Sequence, residues 1–254
     1  MTHTDGRTAL AAAALTLLAL APAPAPAQGR FPPDSFTNLK VLPKTIDQRT
    51  LLATMRGFTA ALGVRCTYCH VGEEGQPLST YNFASDDKRP KRVARVMIDM
   101  VHHINDEHLQ DVPDRPAPLL EVRCETCHRG LARPKLLEDT LRAVLAAGGP
   151  DSASRLYRAL RERYYGTGSY NFSERVLNEF ARSVAQQGQP DQAIGLLRLN
   201  AEFYPSSGLV HFLVGEILLQ KNDTAGALQS YQQAVTLDST IAPARQRIAT
   251  LSRH

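Results

Sequence analysis

Apolar residues recur at helical spacing in two stretches of the N-terminal half. Leu51, Leu52, Met55, Phe58 and Leu62 share one face of a helix predicted over 45–63. Thr45 and Gln48 stand in capping-box spacing at its start, and Gly63 is its stop. A second helix is predicted from about Lys91 to His108, with Val93, Val96, Met97, Met100, Val101 and Ile104 as its stripe. Ser85 or a neighbouring aspartate is placed to cap it, and Pro90 suits its first turn. From about 138 onward the pattern changes to alanine, leucine, glutamine and arginine with an internal period. Ala181 and Gly215, Gly188 and Asn222, Ala193 and Ala227, Leu197 and Tyr231, Asn200 and Ala234, and Pro205 and Ser239 are each 34 residues apart. The expected class is therefore mainly α, with few or no strands.

One run is apolar without periodicity. "ALAAAALTLLALA", residues 9–21, follows Arg7 and precedes Ala25-Pro26-Ala27, small residues of the kind a signal peptidase accepts. It is short for a membrane span and reads as a cleavable secretory signal over 1–27, the alternative being a retained anchor. No cysteine stands near the cleavage region to carry a lipid. The mature chain is expected to be periplasmic or otherwise exported, without an integral membrane anchor. The 254 residues are 43% hydrophobic and 21% charged with a formal net charge of +4. Acidic and basic residues are interspersed rather than blocked, which argues against nucleic acid as a partner.

Export favours disulfides, yet the four cysteines make a different pattern. "VRCTYCHVG" at 64–72 and "VRCETCHRG" at 122–130 each hold Cys-x-x-Cys followed at once by histidine. Two thiols at that spacing reach the two vinyl groups on one edge of a porphyrin, and the next residue lays an imidazole over its iron. Zinc would leave both histidines unexplained across pairs 58 residues apart. Thiol exchange needs one reactive pair in a strand–helix–strand setting, and structural disulfides need no histidine. The expectation is two covalently attached haem c groups, on Cys66, Cys69 and His70 and on Cys124, Cys127 and His128.

The opposite face of each iron decides between electron transfer and ligand chemistry. Apart from Met1, the chain has Met55, Met97 and Met100, all in the two apolar stripes. Thioether ligation raises a haem's potential relative to a second histidine. Met55 lies eleven residues before Cys66, so a reversal at Gly63 can return the first motif beneath it. Either Met97 or Met100 can serve the second haem, and all three methionines can instead be core residues. His102, His103 and His108 compete as distal ligands. Arg65 and Arg123, at matching places before each motif, are candidates to pair with haem propionates or to stand in solvent.

"LLATMRGFTAALGVRCTYCH" and "ARVMIDMVHHIN" followed by "VRCETCHRG" resemble the units of the cytochrome c subunit of bacterial photosynthetic reaction centres. In that family a methionine-bearing helix precedes a turn and a CxxCH segment. The resemblance covers about residues 36–135 and implies Met55 as axial ligand of the first haem and Met97 of the second. It departs from the photosynthetic members in having two motifs where they have four, and in lacking an acylated cysteine. Docking to a reaction centre therefore does not carry over, whereas electron transfer between redox partner proteins does.

The 34-residue period resembles tetratricopeptide repeats, with units at 174–207 and 208–241 and a terminal helix over 242–251. "PDSASRLYRALRERYY" at 150–165 echoes "PDQAIGLLRLNAEFYP" and suggests a degenerate earlier unit. Tyr157, Tyr164, Tyr165 and Tyr170 are candidates for a contact surface or for repeat-core packing. The chain thus divides into a signal (1–27), a dihaem cytochrome c domain (28–137) and a repeat domain (138–254) that binds a protein or peptide, or packs on the haem domain. The expected function is electron transfer rather than catalysis. The competing classes are a dihaem peroxidase-like enzyme using His102, His103, His108, Asp106 and Glu107 beside a labile iron, and a haem-based sensor.

Overall fold

The computed structural model describes residues 1, 31–33, 35–114 and 117–253; beyond its first residue, the expected signal segment lies outside the described residues. Among them the protein is helical, and its one β-feature is an isolated antiparallel bridge between Val71 and Asn82. The mainly α expectation holds.

Helix α1 runs Gln48–Leu62. Its cap is Asp47 rather than Thr45: the carboxylate accepts Thr50 N–H at 2.9 Å and the Thr50 hydroxyl at 2.6 Å. A carboxylate three residues before a threonine satisfies two donors at once, so the helix starts there. At the other end Gly63 is left-handed, φ 64°, and its N–H returns to the last turn. The turn needs glycine twice over, because a Cβ there would stand 2.2 Å from the carbonyl oxygen of Gly130.

Helix α2 is the single turn Cys66–Cys69. A loop, held by Asn82 N–H donating to Val71 O and by the Tyr81 hydroxyl donating to Glu73 O, both at 2.8 Å, then leads to α3, Arg89–His103. Its expected caps are engaged elsewhere. Asp86 accepts both Arg95 guanidinium nitrogens at 2.8–2.9 Å, Lys40 at 2.8 Å and Asn38 at 2.9 Å, with Lys91 at 3.1 Å. That carboxylate staples the segment around Asn38 to the middle of α3, and its pKa is held well below the usual range, by Arg95 first and Lys40 next. The expected last turn of the helix is a π-turn, Ile104–His108, rather than α. Helix α4, Cys124–His128, is again about one turn.

The rest is an array of helical hairpins. Helix α5, Leu137–Tyr164, breaks at Gly149 and restarts at Pro150. Then come α6 (Glu174–Gln186), α7 (Pro190–Phe203), α8 (Gly208–Gln220), α9 (Thr224–Leu237) and α10 (Ala242–Leu251). The 34-residue period has a physical meaning here. Gly188 and Asn222 are the left-handed turn residues of successive hairpins, φ 78° and 62°, and asparagine is among the side chains that tolerate this region. Ala181, Ala193, Gly215 and Ala227 are buried where the paired helices cross. Two polar residues are buried in the same core: Asn200 donates to Glu174 O at 2.8 Å and to Asn178 Oδ1 at 2.9 Å, tying α7 to α6.

The core is distributed unequally. Both clusters of buried apolar side chains begin at or after Leu137. Between 31 and 130, Leu51 and Ala61 are the buried hydrophobic residues among those described.

Candidate functional site

Both Cys-x-x-Cys-His segments are built as one tight turn with extended backbone before the first cysteine. In the first, His70 N–H donates to Cys66 O and Tyr68 N–H to Arg65 O, each at 2.9 Å. In the second, Arg123 N–H donates to the Thr126 hydroxyl at 3.0 Å, and Thr126 N–H to Arg123 O at 3.0 Å. A turn of this length sets both thiols and the imidazole on one short segment, as edge attachment of a flat macrocycle requires. All four cysteines are free. Burial raises the thiol pKa of Cys69 and of Cys124.

The two histidines are held differently. His128 Nδ1 stands 2.7 Å from Leu131 O. A carbonyl oxygen only accepts, so Nδ1 is the donor and Nε2 is the ring nitrogen left to serve a metal. His70 lies edge-on to Phe83, ring centroids 4.9 Å apart, and its Nδ1 is buried with no hydrogen-bond partner among the described residues. Burial first, and the Lys91 charge second, push its pKa down to about 4, so this imidazole is neutral at physiological pH.

The methionine helices cross over. The C-terminal end of α1 packs on α4, where Gly130 N–H donates to Ala61 O at 2.8 Å. Helix α3 packs on α2, and Lys88 Nζ donates to Thr67 O. Each Cys-x-x-Cys-His turn therefore abuts the methionine helix of the other unit. Met55 and Met97 are half-buried. Met100 is 44% exposed and shares its stripe with Val93 and Val96, the latter 61% exposed. An apolar stripe of this kind is expected to be covered in a stable protein. Leu119 and Leu120, four to five residues before Cys124, are 60% and 67% exposed.

These features fit haem c: paired thiols beside an imidazole, a buried imidazole nitrogen without a partner among the described residues, an α3 stripe left partly open, and a segment of about a hundred residues with almost no core of its own. A cleft of about 320 Å³ opens beside Cys66, lined by Thr59, Val64, Arg65, Thr67, Leu78 and Tyr81 among others.

Other candidates fall elsewhere. Arg65 pairs with Glu74 at 2.8 Å and Arg123 with Glu125 at 3.0 Å, all four well exposed. His102, His103, His108, Asp106 and Glu107 are exposed along the end of α3 and the π-turn. His103 takes up Asp99 O at 2.8 Å and lies 3.7 Å from Glu107, so these groups sit in solvent rather than around a shielded pocket. Of the four tyrosines, Tyr157 is fully buried and Tyr164 and Tyr170 pack against the array core. Tyr165 is exposed and lies under the Arg161 guanidinium at 4.1 Å.

Two contributors carry little sequence signal. Asn105, in the π-turn, donates from Nδ2 to Val122 O and accepts Val122 N–H at Oδ1, both at 2.8 Å, and so clasps the residue two before Cys124 across seventeen positions. Ser169, in the α5–α6 loop, donates to Arg129 O at 2.6 Å. An Asx side chain at a helix end is a weak hint of such a clasp; nothing marks the serine.

Comparison with known proteins adds an independent line. The family model of the photosynthetic reaction centre cytochrome C subunit matches residues 1–147, more than half of the chain. Cytochrome c-554 of Chloroflexus aurantiacus is 37% identical over 70 residues, 28% of this chain and 14% of that protein, so only a small part of the relative's length is matched. Among solved structures, that of MamA overlaps 46% of this chain and 63% of its own at 18% identity with a TM-score of 0.31. The Sgt2 TPR domain from Aspergillus fumigatus overlaps 46% and 75% at 17% identity, also with a TM-score of 0.31.

Proposed function

The chain belongs to the photosynthetic reaction centre cytochrome c subunit family, and from that premise we propose that it is an exported dihaem c-type cytochrome that passes electrons between redox partner proteins. Residues 28–137 form the haem-carrying unit and 138–254 the tetratricopeptide-like array that seats it on a protein or peptide. The observation that carries this reading is the missing core. Two amphipathic helices and two Cys-x-x-Cys-His turns occupy residues 48–128 with almost no buried apolar side chain between them.

Cys66, Cys69, Cys124 and Cys127 would form the thioethers, and His70 and His128 would be proximal ligands. Bound haem supplies a one-electron ferric/ferrous couple whose potential follows its axial ligands and its burial. The chain's part would be to present two imidazole ligands, exclude water with the apolar faces of α1 and α3, and offer a further ligand to each haem. We assign this role to Met55 for the first haem and Met97 for the second, with Met100 the alternative on the more exposed stripe. The crossed packing supports pairing within each unit. Helices in direct contact, α1 with α4 and α3 with α2, leave no gap for a macrocycle at that contact, which favours pairing each methionine with the turn of its own unit.

Electron transfer is favoured over peroxidase or sensor chemistry because the available acid–base side chains lie in solvent and three thioethers lie on the two helices. A redox titration followed by spectra tests this. Two haems with the weak far-red band of Met–iron ligation in the ferric state are expected, and the second ligand is read from which variant, Met97→Ala or Met100→Ala, loses part of that band. High-spin bands and avid carbon monoxide binding by the reduced wild type would overturn the reading.

A further inference from the structure

The four residues from His128 to Leu131 form a strap whose polar groups are largely committed. Arg129 and Gly130 are both left-handed, φ 47° and 82°. Arg129 N–H donates to Glu125 O at 3.2 Å, Gly130 N–H to Ala61 O at 2.8 Å and Leu131 N–H to His128 O at 2.8 Å. Leu131 O takes the His128 Nδ1 proton at 2.7 Å. The Leu131 side chain is itself buried.

One carbonyl of the strap, that of Arg129, is held by the helical array. Ser169 is 9% exposed, and its Oγ–H donates to Arg129 O at 2.6 Å. The serine is in turn placed by its own loop. Thr167 Oγ1 donates to Tyr164 O at 2.8 Å at the end of α5 and accepts Ser169 N–H at 3.3 Å. A path of hydrogen bonds therefore runs from the array, through the Arg129–Gly130 peptide, to the acceptor that orients the His128 ring. A left-handed arginine is strained relative to its usual backbone, and the serine bond helps hold it there.

We propose that Ser169 is a positioning residue for the second iron ligand: by fixing the Arg129–Gly130 peptide it keeps Leu131 O on His128 Nδ1, so the helical array tunes the second haem and leaves the first alone. The inference rests on Cys124–His128 being a haem-attachment segment. A firm carbonyl acceptor on Nδ1 makes an imidazole a stronger donor and favours ferric iron. Loosening that acceptor weakens the donor and raises the potential. His70 lacks this arrangement: its Nδ1 has no hydrogen-bond partner among the described residues, and the backbone group acting on its ring is that of Phe83, outside the array. The array is thereby joined to one redox centre of the two, and a partner that moves the 165–171 loop would be sensed there.

The test is a potentiometric titration of the full-length holoprotein, wild type against Ser169→Ala, Ser169→Thr and Ser169→Cys, with the ferric haem-methyl proton resonances recorded in parallel. Expected is an upward shift of one of the two redox waves in Ser169→Ala with the other unmoved, and changed methyl resonances for that haem only. Ser169→Thr, which keeps the hydroxyl, should restore the wild-type wave, and the weaker donor in Ser169→Cys should give a smaller shift than alanine. No movement, equal movement of both waves, or a fall in the shifted wave overturns the inference. A wild-type protein that lacks a second haem fails the underlying reading instead, and the two failures are distinguishable before any variant is made.

Discussion

The two halves of this molecule solve the problem of stability in opposite ways. In the array, Leu141, Tyr157, Leu177, Leu196, Leu197 and Tyr231 are each closed off completely by neighbouring helices. In the N-terminal half the helices are as amphipathic as the others, yet Val96 and Met100 stand open and polar staples such as Asp86 with Arg95 and Lys40 do much of the joining. Amphipathic helices whose stripes stay partly open, in a chain of a cytochrome c family, fit an arrangement around something that is not protein. A cofactor can stand where a core would be, and the two halves should then fail under different insults.

The largest separation comes from removing an attachment site. Replacing Cys66 and Cys69 by alanine should abolish ordered helix over much of residues 31–130 while the array persists. Limited proteolysis is expected to leave a stable C-terminal fragment beginning near Leu137, and an intact, protease-resistant N-terminal half in a haem-free variant would refute the cofactor-as-core picture.

The converse insult is Tyr231→Ala. Its ring is fully buried between α8 and α9, and its hydroxyl donates to Glu216 at 2.6 Å beside Arg247. A loss of about 3–5 kcal/mol is expected for an aromatic truncated in a packed core. Thermal unfolding followed by far-ultraviolet dichroism should show the array melting earlier while the haem spectrum is unchanged at room temperature.

Gly63→Ala is intermediate. A left-handed alanine costs about 1–2 kcal/mol, and its Cβ also meets Gly130 O. The expected result is a lower melting temperature of the haem-carrying half with the second haem, next to Gly130, more perturbed than the first. Equal spectra for both haems and an unchanged melting temperature would show that α1 does not brace the second site.

The smallest effect is electrostatic. Asp86 has its pKa depressed by Arg95 and Lys40, so its contribution to stability is present at neutral pH and is lost as pH falls below the ordinary carboxylate range, about 4. Asp86→Asn should lower the melting temperature at pH 7, and the gap between variant and wild type should narrow on acidification. A gap that widens in acid would contradict the assignment.

Local features were legible in the sequence and long-range choices were not. The Gly63 stop, the tight turns at both Cys-x-x-Cys-His motifs and the hairpins at 174–207 and 208–241 follow from spacing and turn chemistry that act within a few residues. Asp47 replaced Thr45 as a cap because two side-chain acceptors stood within two positions and the better one won. The π-turn after His103 and the Asn105 clasp on Val122 depend on where a loop of some sixteen residues returns. The crossed packing of α1 on α4 and α3 on α2 depends on how two similar units face one another, as does the Ser169 contact on where the array docks. None of these is encoded in a periodicity, because the partner is remote in the chain.

On the proposed reading, two porphyrins are covalently part of this fold. Intact-mass measurement of the matured, exported protein, denatured to strip anything not covalently bound, tests it most directly. The expected mass exceeds that of the polypeptide by two haem groups, falling to one when Cys124 and Cys127 are both replaced. A polypeptide mass with no addition, or a single addition that survives that replacement and is lost with Cys66 and Cys69, would contradict it.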